Sequence, residues 1–171
     1  GNAVSFINSL YYGFGSGVVA GDTGICMQNR GACFVLDEGH PNVLAPSKRP
    51  YQTIIPCMVT KEGELWASFG VMGGFMQPQG HAQMLVNMID YGMNPQESLD
   101  APRYELLDPY NGDRTLALEH DDATQQALRD LGHQVVPASV GGFGGGQIIA
   151  IENNVAFGGS DPRKDGSVVG L

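Results

Sequence analysis

The pair Gly73-Gly74 offers the clearest chemistry in this sequence. An apolar run reaches Gly70 and a helical pattern opens near Gln77, so the pair falls at a strand-to-helix junction. Successive peptide N–H groups at such a junction can point outward together, because glycine lets a ligand approach the backbone closely. Two donors of that kind make an oxyanion hole for acyl transfer. A tight turn without chemistry has the same spacing, and spacing alone leaves both readings open. Familiar alternatives are missing: there is no G-x-x-x-x-G-K-[ST] phosphate loop and no H-E-x-x-H zinc helix. Gly13–Gly17 carries a glycine where a nucleophile elbow needs a serine. Gly141–Gln147 holds five glycines, but not in the dinucleotide-binding register. His40, His81, His120 and His133 lie far apart and read as surface or helix-end residues. No cofactor and no metal is expected.

These residues need elements to position them. Gly1-Asn2 reads as the end of a hairpin turn leading into a strand over Ala3–Leu10, so a further strand is expected before Gly1. Gly24–Gln28 reads as a short strand, and Asp37–Pro50, with three prolines, as a surface loop. Thr53–Thr60 and Leu65–Gly70 are apolar runs joined by Lys61-Glu62-Gly63-Glu64, a hairpin signature. Helical spacing of Met84, Leu85, Met88 and Ile89 predicts a helix over Gln77–Tyr91, stopped by Gly92. Asn94-Pro95-Gln96-Glu97 opens a short helix, and Asp121–Leu131 forms a third. Gln147–Glu152 and Val155–Gly158 flank Asn153-Asn154 as a last hairpin. The reading is one compact α+β domain over residues 1–171.

Composition narrows the function. The formal charge is −9, which disfavours phosphate backbones and anionic membranes, so no nucleic-acid partner is expected. No run approaches the ~20 apolar residues of a membrane span, so this chain inserts in no membrane. Charged residues are 16 %, against about 25 % in a typical domain, which suggests that something else covers part of the surface. Cys26, Cys33 and Cys57 form no disulfide framework and read as small buried hydrophobes, with a lean toward a reducing, cytoplasmic setting.

With these segments in hand the chain resembles the small, C-terminal subunit of the γ-glutamyltranspeptidase family of N-terminal-nucleophile hydrolases. The matching segments are Gly1-Asn2-Ala3-Val4, Phe14-Gly15-Ser16-Gly17, Lys48-Arg49-Pro50, Gly73-Gly74, Asp90-Tyr91-Gly92-Met93-Asn94, Ala101-Pro102-Arg103, Gly132-His133 and Ser160-Asp161-Pro162-Arg163, in that order. The resemblance implies an αββα sandwich completed by a larger N-terminal subunit cut from the same precursor. It implies a self-exposed threonine nucleophile, ahead of Gly1, whose own α-amine serves as base. Gly73 and Gly74 then correspond to the oxyanion hole, and Ser9 to a threonine that orients the nucleophile. Tyr11, Arg30 and Cys33 stand where the family has an asparagine, a glutamine or glutamate, and an aspartate. Gln52-Thr53 stand where it has paired serines, so these five residues are the expected substrate contacts. Cys33 in place of an acid removes the counter-charge for an ammonium, and Arg30 favours an anion.

The expected function is therefore a γ-glutamyltransferase-like amide hydrolase or acyltransferase acting on a small amide. Two alternatives stand beside it: an acylase for a non-glutamyl acidic group, as in the cephalosporin-acylase branch, and an inactive ligand-binding scaffold. Some members of the resembled family carry a lid loop over the glutamyl pocket. The corresponding Cys33–Lys48 stretch is short here, so the resemblance implies an open site.

Overall fold

The computed structural model describes residues 1–107, 112, 114–139 and 142–170. Two compact units form, one from Gly1–Phe6 with Ile55–Leu171 and the other from Ile7–Ile54. The first contains β1 (Cys57–Lys61), β2 (Glu64–Met72), α1 (Gln77–Ile89), α2 (Pro95–Asp100), β3 (Tyr104–Leu106), β4 (Leu116–Leu118), α3 (Asp122–Asp130), β5 (Val135–Pro137), β6 (Gly145–Glu152) and β7 (Val155–Ser160). One sheet runs β1-β2-β6-β7 with every neighbour antiparallel. A smaller sheet runs β3-β4-β5, its last pair parallel.

The hairpin turns form where local chemistry demands them. Glu62 and Gly63 take φ of 54° and 88°, and Asn153 and Asn154 take 51° and 61°. Two successive left-handed residues match the twist of the flanking strands. Alternation along the strands then sends Ala67, Phe69 and Val71 of β2, with Ile148 and Ala150 of β6, into the core. Helix α1 meets them with a single stripe, burying Gln77, Gly80, His81, Met84 and Met88. Helix α2 opens with a full capping box between Asn94 and Glu97 and delivers Leu99, which is fully buried. Leu99 fits because β6 and β7 present glycines to it: a Cβ on Gly146 or Gly159 would come within 2.6 Å or 2.9 Å of its methyl groups.

Several expectations are corrected. Ala3–Leu10 forms no strand. Its attachment to the sheet is the Ser5 hydroxyl, which donates to Phe69 O (3.0 Å) and accepts from Cys57 N (3.2 Å). A β-compatible sequence becomes a strand only where a ladder takes up its backbone groups, and here a side chain makes the link instead. Gly24–Gln28 contributes only Cys26, bridged to Val19. The strand expected from Thr53 begins at Cys57, after Pro56, which has no N–H to give a ladder. The cysteines are free but half-buried rather than buried. His81 is buried, not superficial, with Nδ1 2.7 Å from Gln77 O and Nε2 2.9 Å from Ile55 O. The sheet β3-β4-β5 was not foreseen, since three-residue strands carry no readable alternation. Of the glycine-rich run 141–147, Gly141 lies outside the described residues.

An ion-pair cluster closes this unit. Arg103 Nη2 donates to Asp161 Oδ2 at 2.6 Å, and Arg163 binds Asp161 Oδ1 (3.2 Å) and, more closely, Glu119. Burial by itself pushes both carboxyls up, but it is outweighed at Asp161 by the N–H groups of Arg163 and Gly146 and the Arg103 charge. At Glu119 the Arg163 guanidinium and the Arg103 N–H do the same, so both groups sit below the usual carboxylate range. In the unfolded chain they titrate near 4. Their stabilisation is therefore complete above that pH and is lost as pH falls through the lower folded values. The urea midpoint is expected to drop as pH is lowered from about 5 to about 3, less steeply in Asp161→Asn. Equal slopes would remove Asp161 from the explanation.

Candidate active site

At the end of β2 the chain turns through Gly73 (φ 144°) and Gly74 (φ 62°) into a short 3-10 turn, Gly74–Met76, and then α1. Both angles belong to the region that favours glycine. Both carbonyls are occupied: Met76 N donates to Gly73 O (3.2 Å) and Gln77 Nε2 to Gly74 O (3.0 Å). Neither N–H has an acceptor among the described residues. The turn thus presents two adjacent backbone donors with their own hydrogen bonds unmade, which is what an anionic oxygen requires. Behind it the Gly73 backbone lies against Gly144, with a Cβ on Gly73 only 3.1 Å from Gly144 Cα. A groove of about 450 Å³ elsewhere on this unit, lined by residues such as Val86, Tyr91 and Tyr104, includes neither glycine.

The unit Ile7–Ile54 gathers the other expected residues. Asn29 binds the Leu10–Tyr12 backbone twice, its N–H to Leu10 O (3.1 Å) and its Oδ1 from Tyr12 N (3.1 Å). A 3-10 turn, Arg30–Cys33, follows. Arg30 then reaches Thr53 Oγ1 through Nε (2.7 Å), Ser9 O through Nη1 (3.1 Å) and Ser9 Oγ through Nη2 (2.5 Å). All three acceptors are neutral, and among the described residues no carboxylate forms an ion pair with Arg30. A guanidinium has five N–H donors, so this one is fixed in orientation with charge and donors to spare.

Tyr11 adopts φ 79°, an unfavourable angle for a residue with a side chain. It stacks on Tyr12 with ring centroids 4.7 Å apart. The neighbouring Cys33 side chain, aided by burial, pushes the phenol up to about 12. The Tyr11 hydroxyl therefore stays protonated across the physiological range. Gln52 Oε1 accepts from Thr53 N at 3.0 Å, beside the Arg30 contact. Ser9, Arg30 and Thr53 are thus brought together, as are Tyr11 and Cys33, while Gly73 and Gly74 belong to the other unit. Sequence reasoning missed the buried Arg103–Asp161 pair, although both residues stand in segments quoted for the family resemblance. The signal was a motif without a role.

A family profile described as Gamma-glutamyltranspeptidase matches residues 1–171. The chain belongs to the γ-glutamyltranspeptidase family. It is 46 % identical over 180 residues to the glutathione hydrolase-like YwrD proenzyme of Bacillus subtilis, covering 100 % of this chain and 34 % of that protein. It is 41 % identical over 177 residues to the oxamate amidohydrolase proenzyme of Klebsiella pneumoniae, covering 99 % of this chain and 33 % of that one. Among solved structures it superimposes on the cephalosporin acylase of Bacillus halodurans with a TM-score of 0.88 at 48 % identity, covering 94 % of this chain and 30 % of the other. The mixed α and β architecture is accordingly that of an N-terminal-nucleophile hydrolase. This γ-glutamyltranspeptidase-family chain spans about a third of the length of the relatives it matches, and those relatives are proenzymes. Most of each relative, some two thirds of its length, lies outside the matched region.

Proposed function

We propose that this chain is the small-subunit part of a threonine-nucleophile amide hydrolase or acyltransferase, paired with a larger subunit from the same precursor. The observation that carries the proposal is the Gly73-Gly74 turn, with both carbonyls occupied and neither N–H given an acceptor among the described residues. The nucleophilic threonine is assigned to polypeptide beyond these 171 residues. Its hydroxyl oxygen attacks the amide carbonyl while its α-amine takes the proton. The carbonyl oxygen becomes an oxyanion, which accepts from Gly73 and Gly74. Collapse expels the amine, which leaves with that proton, and an acyl ester remains. Water or a second amine then attacks the ester and restores the threonine. One such donor contributes about 3–4 kcal/mol to lowering the barrier. Ser9 orients the nucleophile, and Tyr11, Arg30, Cys33, Gln52 and Thr53 contact the acyl group.

A second reading concerns the substrate. Arg30 has no carboxylate partner among the described residues, and Cys33 offers an ammonium no negative charge. That combination supports an acyl group bearing a carboxylate but no α-amine. An amidohydrolase and an acylase among the relatives support the same chemistry.

The test uses the full-length precursor. Intact mass and N-terminal sequencing are expected to find two polypeptides, the smaller beginning with threonine ahead of Gly1. Turnover is then compared on glutaryl-p-nitroanilide and its amino-bearing analogue, L-γ-glutamyl-p-nitroanilide. Preference for the glutaryl compound supports the amine-free reading, and preference for the glutamyl compound overturns it. An uncleaved chain that turns over neither points to the inactive scaffold.

A further inference from the structure

We infer that the buried Arg103–Asp161 pair is a positioning device for the Gly73-Gly74 turn, acting through the Phe143–Gly146 segment; this rests on the oxyanion role proposed above. Arg103 and Asp161 are 2 % and 1 % exposed. Arg103 Nη1 donates to Phe143 O at 3.0 Å while its Nη2 donates to Asp161 Oδ2 at 2.6 Å. That same Oδ2 accepts from Gly146 N at 2.7 Å, and Asp161 N donates back to Gly146 O at 3.1 Å. The pair therefore holds the chain on both sides of Gly144, by a carbonyl before it and an amide after it.

Gly144 is the part that touches the turn. It takes φ 66°, and a Cβ there would lie 1.6 Å from Met72 O and 3.1 Å from Gly73 Cα. Backbone meets backbone with no side chain between to absorb a shift. The ladder converges on the same point, since Met72 pairs with Gly145 and Val71 with Gly146. Displacing 143–146 must then move Gly73.

Stability alone gives a weak reason for such a pair. Two buried charges replaced by apolar groups of similar volume often cost the fold nothing. The planar fork supplies something an apolar pair lacks, which is simultaneous fixing of a carbonyl and a carboxylate in one plane. Oxyanion donors reward that, because a misplacement of about 1 Å costs ~10²-fold in rate.

Arg103→Lys tests this in the matured full-length enzyme, because it keeps the charge and replaces the fork with a point donor. On whichever of glutaryl- and L-γ-glutamyl-p-nitroanilide the wild type turns over, kcat is expected to fall ~10–30-fold with KM within about twofold. Met88→Ala, a buried truncation about three turns along α1 from the glycine turn, is the control: a comparable loss of Tm with kcat unchanged. An unchanged kcat in Arg103→Lys overturns the inference, as does an equal kcat loss in Met88→Ala. A second arm needs no variant. In native-state hydrogen exchange of the wild type under low urea, residues 72–76 and 143–146 are expected to open together, and independent opening overturns the inference. If the wild type turns over neither anilide, the proposed activity fails, while the exchange arm still decides whether the two segments are coupled.

Discussion

Gly74→Val is expected to lower kcat by ~10²-fold or more while the protein still folds and matures to a stable product. The reason lies in the backbone. Gly74 sits at φ 62°, where a β-branched residue is strongly disfavoured. Among the described residues outside its own turn, no atom lies within 4 Å of a Cβ added there, so the branch point of the new side chain does not press on the core. The strain is relieved by rotating the peptide units around residue 74, and that moves the N–H groups the oxyanion needs. Losing one donor is worth about 3–4 kcal/mol, hence the size of the effect. Steady-state kinetics with a thermal melt read both halves. Wild-type turnover from a folded Gly74→Val protein would sink the oxyanion assignment. Gly73→Ala is a poorer probe, since its Cβ would press on Gly144 at 3.1 Å and confound stability with catalysis.

Arg30→Asp should cut kcat/KM for glutaryl-p-nitroanilide by ~10²-fold or more, because it removes a charge-assisted partner and installs a like charge. Arg30→Lys is expected to recover only part of the loss. Lysine keeps the charge but cannot hold Thr53 Oγ1, Ser9 O and Ser9 Oγ from one planar group. For a γ-glutamyl substrate the sign differs: the carboxylate introduced by Arg30→Asp would supply the counter-charge an ammonium lacks here, so activity is unchanged or improved. Turnover of both anilides by both variants separates the substrate readings. A glutaryl rate that ignores the charge at residue 30 would remove Arg30 from acyl recognition.

The two variants probe different units of the chain. The low charge content has a counterpart in the many large apolar side chains left exposed, among them Phe6, Leu36 and Tyr91. A chain that spans about a third of its relatives leaves room for a larger subunit to cover such residues, in keeping with the partner proposed above.

Much of the fold is legible in the sequence where interactions are local. The hairpins at Glu62-Gly63 and Asn153-Asn154 follow from residues that tolerate positive φ between two apolar runs. The start of α2 follows from Asn94, Pro95 and Glu97, which satisfy one another's backbone groups within four positions. The glycine turn before α1 is visible for the same reason, and so is its candidate chemistry. Family membership is legible too, because ordered short motifs survive without any knowledge of their contacts.

Tertiary structure decides what depends on distant partners. Whether Ala3–Leu10 becomes a strand rests on a ladder that the sequence does not announce, and the Ser5 side chain makes the attachment instead. Sheet β3-β4-β5 draws three-residue strands from positions 104 to 137, each too short for alternation to register. His81 looks like a polar helix residue until packing sets its ring nitrogens 2.7 Å from Gln77 O and 2.9 Å from Ile55 O. Arg30 is a lone cation in the sequence, and only folding sets it against Ser9 and Thr53. Arg103 and Asp161 lie 58 residues apart, and a charged pair at that separation has no local pattern to betray it. Local propensity fixes turns and caps because their partners are a few bonds away, whereas charge placement and strand pairing follow from closing long loops, which only the packed core determines.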